Sequence, residues 1–246
     1  MEEFERSPSG GYYVGTNFVF WQRDEDLDGF AVWGKPSTES IETVCRLLDT
    51  GLVRPHFSLI DVRAAEGVDF RAFDALYRGV SSRQQGFAKT VRKQAILRAD
   101  GAIGAIVLGF YGLIEPRYPV QHFTSVVEAF DWFDLPRREI ALRDYEAMRS
   151  ALDPQMVLAV IYHESGFKKY AVSSAGARGY MQVMPFWLKL LGTDDQNLFH
   201  LRTNLRFGCT ILRHYLDIEK GDLYRALGRY NGSLGAPEYP NLVRGA

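Results

Sequence analysis

The chain has 246 residues, a length that fits one large domain or two modest ones. Its composition, 46% hydrophobic and 24% charged, is typical of a soluble globular protein and excludes a disordered chain and a membrane bundle. The formal net charge of −1 argues against a general nucleic-acid coat, and the two cysteines form neither a disulfide framework nor a zinc site.

The first half of the chain alternates strand and helix signals. Short runs rich in Val, Phe and Tyr predict strands at residues 11–21, 30–33, 57–62, 94–97 and 120–123. Helical spacing predicts helices at residues 37–52, 69–93 and 126–133. Residues 101–113 fit either a helix or a strand. This alternation predicts an α/β domain with a mixed sheet. Its element order resembles that of STAS-type regulatory domains, which favours an accessory or regulatory role.

Targeting and membrane signals are missing from the sequence as written. The first residues are acidic, whereas a secretory signal begins with basic residues and continues with an apolar run. The longest apolar stretch, residues 102–114, is shorter than the ~20 residues of a membrane-spanning helix. We therefore expect a cytosolic chain without a membrane span, or one whose export signal has been lost or removed.

The alternation of strand and helix signals ends near residues 134–139, where a proline is followed by a run of charged residues. We predict two domains, 1–135 and 136–246, and the second reads as helices joined by loops. From Pro136 onward fifteen Lys and Arg stand against eleven Asp and Glu, whereas the first half holds fourteen against nineteen. These opposite signs favour contact between an acidic first domain and a basic second one.

A glutamate stands at the end of the most apolar helix of the second domain. Asp153 and Pro154 are typical of a helix start, and Gly166 of a helix end. Glu164 lies on the face formed by the preceding apolar residues, near the negative end of the helix dipole. Burial and the dipole both raise the pKa of a carboxyl, as a general acid for glycoside cleavage requires. The alternative is a glutamate that reaches solvent at a frayed helix end.

Three ordered segments follow this helix. Residues 164–167 read Glu-Ser-Gly-Phe, residues 179–185 read Gly-Tyr-Met-Gln-Val-Met-Pro, and residues 230–232 read Tyr-Asn-Gly. From about residue 143 to the C-terminus, this set resembles the SLT family of soluble lytic murein transglycosylases. The resemblance implies an all-α catalytic domain of goose-type-lysozyme-like fold.

The resemblance also implies roles for individual residues. Glu164 matches the single catalytic acid and base of the family, and Ser173 matches a loop serine near that carboxyl and the substrate N-acetyl group. The remaining implied substrate-binding residues are Gln182, Met184, Tyr230 and Asn231. From spacing alone, Tyr230 could equally be a core aromatic, and both roles can hold together.

The implied reaction is non-hydrolytic cleavage of the β-1,4 bond between N-acetylmuramic acid and N-acetylglucosamine. Glu164 would protonate the bridging oxygen and then deprotonate the muramic C6 hydroxyl, which leaves a 1,6-anhydro end. The resemblance implies peptidoglycan glycan strands as the partner, a cell-envelope or periplasmic location, and neither a metal nor a cofactor.

Two other readings remain open. The domain could be a non-catalytic regulatory or glycan-binding protein that keeps the fold. It could also be a muramidase that hydrolyses the same bond, if Asp194 or Asp195 faced Glu164 across the sugar. Both aspartates lie in a predicted turn, where solvated loop acids are the plainer interpretation.

Overall fold

The computed structural model forms two compact units, Met1–Arg138 and Glu139–Ala246. The structure describes residues 5–7, 10–23, 26–50, 54–135, 138–191 and 196–245. Asp194 and Asp195 lie outside the described residues, so their predicted place in a turn stays a prediction.

The first unit is built on a seven-stranded sheet whose strand order follows the chain. Pairing from β1 to β4 is antiparallel, and pairing from β4 to β7 is parallel. Parallel neighbours need a crossover, and helices supply it. The strands are β1 (Glu5–Ser7), β2 (Gly10–Val14), β3 (Phe18–Arg23), β4 (Leu27–Gly34), β5 (His56–Ala65), β6 (Val91–Leu97) and β7 (Val120–Phe123). The helices are α1 (Thr38–Leu48), α2 (Phe70–Ser82), α3 (Gln84–Thr90), α4 (Ala102–Ile114) and α5 (Val126–Phe133).

The single strand expected at residues 11–21 is a hairpin of β2 and β3. The chain reverses at Gly15, whose backbone N–H donates to the Phe18 carbonyl at 2.8 Å. A Cβ on Gly15 would lie 2.4 Å from the Phe18 ring, so glycine is required for this close approach. The prediction missed the turn because aromatic and β-branched residues continue on both sides of it.

The long helix expected at residues 69–93 is also divided. Helix α2 ends at Arg83, whose backbone leaves the helical region and whose guanidinium binds Asp49 at 2.6 and 2.8 Å. Helix α3 follows, and the chain then enters β6 at Val91, which is buried and pairs with His56 of β5. Residues 91–93 were therefore wrongly assigned to the helix, and the ambiguous residues 101–113 are helical, in α4.

The second unit consists of helices packed around one apolar core. Buried residues of α7, α9 and α10 meet there, among them Val160, Leu212 and Leu227. In the described part of this unit, β pairing is limited to two isolated bridges in the loop that follows α7. The predicted fold class is confirmed: a mixed α/β sheet in the first unit and a helical second unit. The helices are α6 (Arg138–Arg149), α7 (Pro154–Ser165), α8 (Phe186–Leu191), α9 (Leu201–Ile218), α10 (Leu223–Asn231) and α11 (Glu238–Gly245).

Candidate active site

Helix α7 carries the candidate acid at its last turn. The Asp153 carboxylate caps the helix by accepting from the Gln155 backbone N–H at 2.6 Å. Gly166 ends it in the left-handed conformation, with φ 58°. Val157, Val160 and Ile161 are buried, which holds this face of the helix against the core. Glu164 is the next residue on that face and is half-buried.

Burial raises the pKa of the Glu164 carboxyl above its usual value. Three polar neighbours oppose that shift in part: the Tyr239 hydroxyl, the Asn231 amide and the His163 ring. Asn231 Nδ2 donates to Glu164 Oε1 at 3.4 Å, a long hydrogen bond from the end of α10. Burial thus raises the pKa of Glu164, whereas the donors around it stabilise its carboxylate form.

Tyr239 is a neighbour of Glu164 that sequence reasoning missed. It lies on α11 and is 8% exposed, and its hydroxyl has no well-aligned partner among the described residues. That hydroxyl is nevertheless close enough to Glu164 to lower the pKa of the carboxyl, while its own pKa is raised by burial and by Glu164. A tyrosine in a short Pro-flanked segment carries no periodic signal, so only the packing of α11 against α7 reveals it.

The loop between α7 and α8 is held by side chains. Ser165 Oγ donates to the Tyr180 carbonyl at 2.7 Å, and the Tyr230 hydroxyl donates to the Met181 carbonyl at 2.7 Å. Gln182, which has φ 48°, donates from Nε2 to the carbonyls of Gly179 and Ala171 at 2.9 and 3.2 Å. These hydrogen bonds fix the backbone of a segment that lacks regular secondary structure.

The buried side chain of Asn204, on α9, holds that loop in place. Its side chain accepts from the Met181 backbone N–H at 2.7 Å and donates to the carbonyls of Arg178 and Leu198, each at 2.8 Å. Gly179 lies directly against it, and a Cβ there would come within 2.5 Å of Asn204 Nδ2. Helix α9 therefore fixes the loop through one fully buried amide.

The predicted site residues fall into two groups. Glu164 and Asn231 are joined directly, whereas Ser173 and Gln182 make their described hydrogen bonds within the loop. Ser173 Oγ accepts from the Ala177 backbone N–H at 3.0 Å, which leaves its own O–H available as a donor. Met184 is half-buried just before α8. The Tyr230 ring packs on the core, as the core alternative predicted, and its implied role in substrate binding stays a prediction.

Neither a metal cluster nor a membrane span is found within the part of the chain that the structure describes. No group of three or more His, Cys, Asp or Glu side chains there could hold a metal ion. No described helix combines the length and apolar character needed to cross a membrane.

Comparison with known proteins finds a family match within the helical unit. Residues 142–239 match the family model of the transglycosylase SLT domain. Over 81 residues the chain is 38% identical to the transglycosylase of Enterobacteria phage PRD1, covering 33% of this chain and 29% of that protein. Over 129 residues it is 32% identical to the membrane-bound lytic murein transglycosylase F of Desulfosudis oleivorans, covering 46% of this chain and 28% of that protein.

One solved structure matches about half of the chain. It is a protein of SpoIIAA-like fold from Shewanella loihica, with 19% identity and a TM-score of 0.36, and the match covers 52% of this chain and 98% of that one. The chain spans less than a third of the length of the two curated relatives. Residues 142–239, which match the transglycosylase SLT domain model, lie within the helical unit.

Proposed function

We propose that the chain is a peptidoglycan lytic transglycosylase in which Glu164 acts first as the acid and then as the base. The observation that carries this proposal is the setting of Glu164: a half-buried carboxyl of raised pKa at the end of an apolar helix, within an SLT domain. A carboxyl whose pKa is raised keeps its proton to a higher pH and can donate it to a glycosidic oxygen.

The proposed reaction proceeds in two proton transfers. Glu164 donates its proton to the oxygen that bridges N-acetylmuramic acid and N-acetylglucosamine, and the bond between that oxygen and the anomeric carbon breaks. The C6 hydroxyl of the same muramic residue then bonds to the anomeric carbon. The Glu164 carboxylate takes the hydroxyl proton, so the enzyme returns to its starting state and no water is consumed.

The neighbours of Glu164 suit both states of this cycle. Asn231 and Tyr239 offer hydrogen-bond donors to the carboxylate, which stabilises it after the first proton has left. The described groups that act on the pKa of Glu164 include no second carboxylate. Hydrolysing glycosidases ordinarily place a second carboxyl within about 5–9.5 Å of the first. A muramidase reaction would accordingly call for a second carboxyl at that distance from Glu164.

The test is a digest of purified sacculi by the full chain, with the products identified by mass spectrometry. We expect muropeptides with 1,6-anhydro ends, which are lighter by one water than the products of hydrolysis. Reducing ends in place of anhydro ends would contradict the transglycosylase reaction and favour the muramidase. Intact sacculi bound by a folded chain would favour the glycan-binding alternative.

A pair of substitutions tests the role of Glu164. Glu164→Gln should lower the rate by at least about 10²-fold, because the amide can neither donate nor accept the transferred proton. Glu238→Gln is the matched control, since Glu238 is an exposed carboxylate of the same unit, and this variant should keep the native rate. Full activity in Glu164→Gln would show that another group supplies the proton.

A further inference from the structure

The first unit encloses a cavity of about 180 Å³ between one face of its sheet and the helices that cover that face. Its walls are mostly apolar and include Phe30 and Ile96 from strands and Phe110 from α4. Fully apolar cavities of ~150 Å³ in proteins stay dry and take up benzene. This cavity is somewhat larger and has room for about seven or eight non-hydrogen atoms.

One part of the cavity wall is polar. Gln94 Nε2 donates to Ser58 Oγ at 3.0 Å, and the Tyr111 hydroxyl donates to Gln94 Oε1 at 3.0 Å. Ser58 and Gln94 are 9% and 6% exposed. The Ser58 hydroxyl accepts one bond and donates none to a described residue, so its proton remains for a further acceptor. A buried hydroxyl with a spare donor beside an apolar space is arranged to meet a polar atom in that space.

The charge at this wall selects against an anion. The Asp28 carboxylate lines the cavity and is 4% exposed. Its charge is already paired with Arg54 Nη2 at 2.8 Å, and His56 Nε2 lies 3.7 Å away. A second carboxylate or phosphate would therefore face Asp28, and the described residues that line the cavity include no lysine or arginine to balance it.

Helix α4 forms part of the cavity wall and has an unusual composition. Its thirteen residues include no charged side chain, and Tyr111 supplies the one polar group. Ile103, Ile106 and Val107 line the cavity, and the helix also leaves Ile106 and Leu108 44% and 43% exposed. The side chains of this helix therefore present an apolar surface to the cavity and to solvent.

We propose that this cavity is a binding site for a small neutral amphiphile: an apolar body of about six or seven carbons that bears one hydroxyl or amide. The apolar body fills the space beneath α4, and the polar head accepts a hydrogen bond from the Ser58 hydroxyl beside Gln94. The proposal does not depend on the reaction proposed for the helical unit, because the cavity residues all belong to the first unit.

The test is an NMR titration of the full chain with primary alcohols from 1-butanol to 1-hexanol. Each added carbon should tighten binding about three- to fourfold, as burial of one methylene predicts. Toluene serves as a probe without a polar head, and hexanoate as an anionic probe. Hexanoate should bind at least tenfold more weakly than 1-hexanol. Equal affinities for these two, or no alcohol binding at all, would overturn the proposal.

Two neighbouring residues of α4 supply a matched pair of variants. Val107→Trp places an indole in the cavity and should abolish binding of both 1-hexanol and toluene. Leu108→Trp adds the same ring to the exposed face and should leave both affinities unchanged. Binding retained by Val107→Trp, or lost equally in both variants, contradicts the site.

The polar wall is tested by Ser58→Ala, which changes the cavity volume very little. This variant should weaken 1-hexanol about three- to tenfold, because one hydrogen bond is lost, and should leave toluene unchanged. The same comparison decides the matter if Val107→Trp fails to fold. Equal effects on the two probes, including no effect on either, would show that Ser58 does not hold a polar head.

Discussion

The two units position their important side chains by different means. In the sheet unit, backbone hydrogen bonds between strands set the register, so a residue such as Ser58 is placed by the ladder around it. In the helical unit, the loop that follows Glu164 has almost no ladder, and side chains such as Asn204 and Gln182 hold its carbonyls. A polar side chain in or beside such a loop can therefore stabilise the backbone and need not contact substrate.

The sharpest way to separate these two means of support is Gly179→Ala. Gly179 has φ 75°, and a Cβ would lie 2.5 Å from Asn204 Nδ2 and 2.6 Å from the Leu198 carbonyl. We expect a loss of about 4 kcal/mol, from left-handed backbone and overpacking together, measured by urea unfolding of the helical unit. Gly176→Ala is the control, because Gly176 has φ 89° with nothing within 4 Å, and it should cost about 1–2 kcal/mol. Equal costs would mean that the loop yields to the added methyl.

A smaller effect is expected from removing one helix cap in each unit. Ser37 caps α1 by accepting from the Ser40 backbone N–H at 3.2 Å, and Asp153 caps α7 at 2.6 Å. Ser37→Ala and Asp153→Ala should each cost about 1 kcal/mol. Peptide-resolved hydrogen exchange should place the loss in α1 for the first variant and in α7 for the second. Only Asp153→Ala should also lower the rate of glycan cleavage, since α7 carries Glu164.

Glu164→Gln should raise the stability of the helical unit at neutral pH. Burial raises the pKa of Glu164 in the folded state, so its contribution to stability is full below the unfolded value, ~4.3, and is lost as the pH rises through the folded pKa. Glutamine stays neutral throughout and has a similar helix propensity. The melting temperature of the variant should therefore exceed that of the native chain at pH 8, and the two should converge near pH 4. A constant difference across this range would rule out a shifted carboxyl.

The smallest expected effect concerns Tyr239. Its hydroxyl lowers the pKa of Glu164, so Tyr239→Phe should let that pKa rise further. Because the general acid must be protonated, the fall of the rate on the alkaline side should move to a higher pH. Tyr230→Phe removes a hydroxyl that donates to the Met181 carbonyl, and it should leave the pH at which the rate falls unchanged. Identical shifts in the two variants would point to a general loosening of the unit.

Local signals predicted the ends of α7 and the helical nature of the second unit. Asp153 and Gly166 delimit α7 as their capping preferences require, and Ser37 caps α1. A helix cap depends on residues a few positions apart in the chain, so the sequence alone is enough to predict it. The turn at Gly15 and the break at Arg83 were missed because apolar periodicity continues across both.

Some contacts of the candidate site could not be predicted from the sequence, for physical reasons. The resemblance implied that Glu164 and Asn231 belong to one site, but their hydrogen bond was not predicted, because it joins residues far apart in sequence. The approach of Tyr239 to Glu164 depends on how α11 packs against α7, which no local pattern encodes. The left-handed backbone of Gln182 could not be predicted either, since the loop imposes it.

The strand order of the sheet has a consequence for how the first unit folds. Every strand pairs with its neighbours in sequence, from β1 through to β7, so each new strand can add to an edge that already exists. Ordering of this kind keeps the sequence separation of contacts small, and such topologies fold faster than those with distant pairings. The sheet can grow strand by strand as the ribosome releases it, before the helical unit has been synthesised.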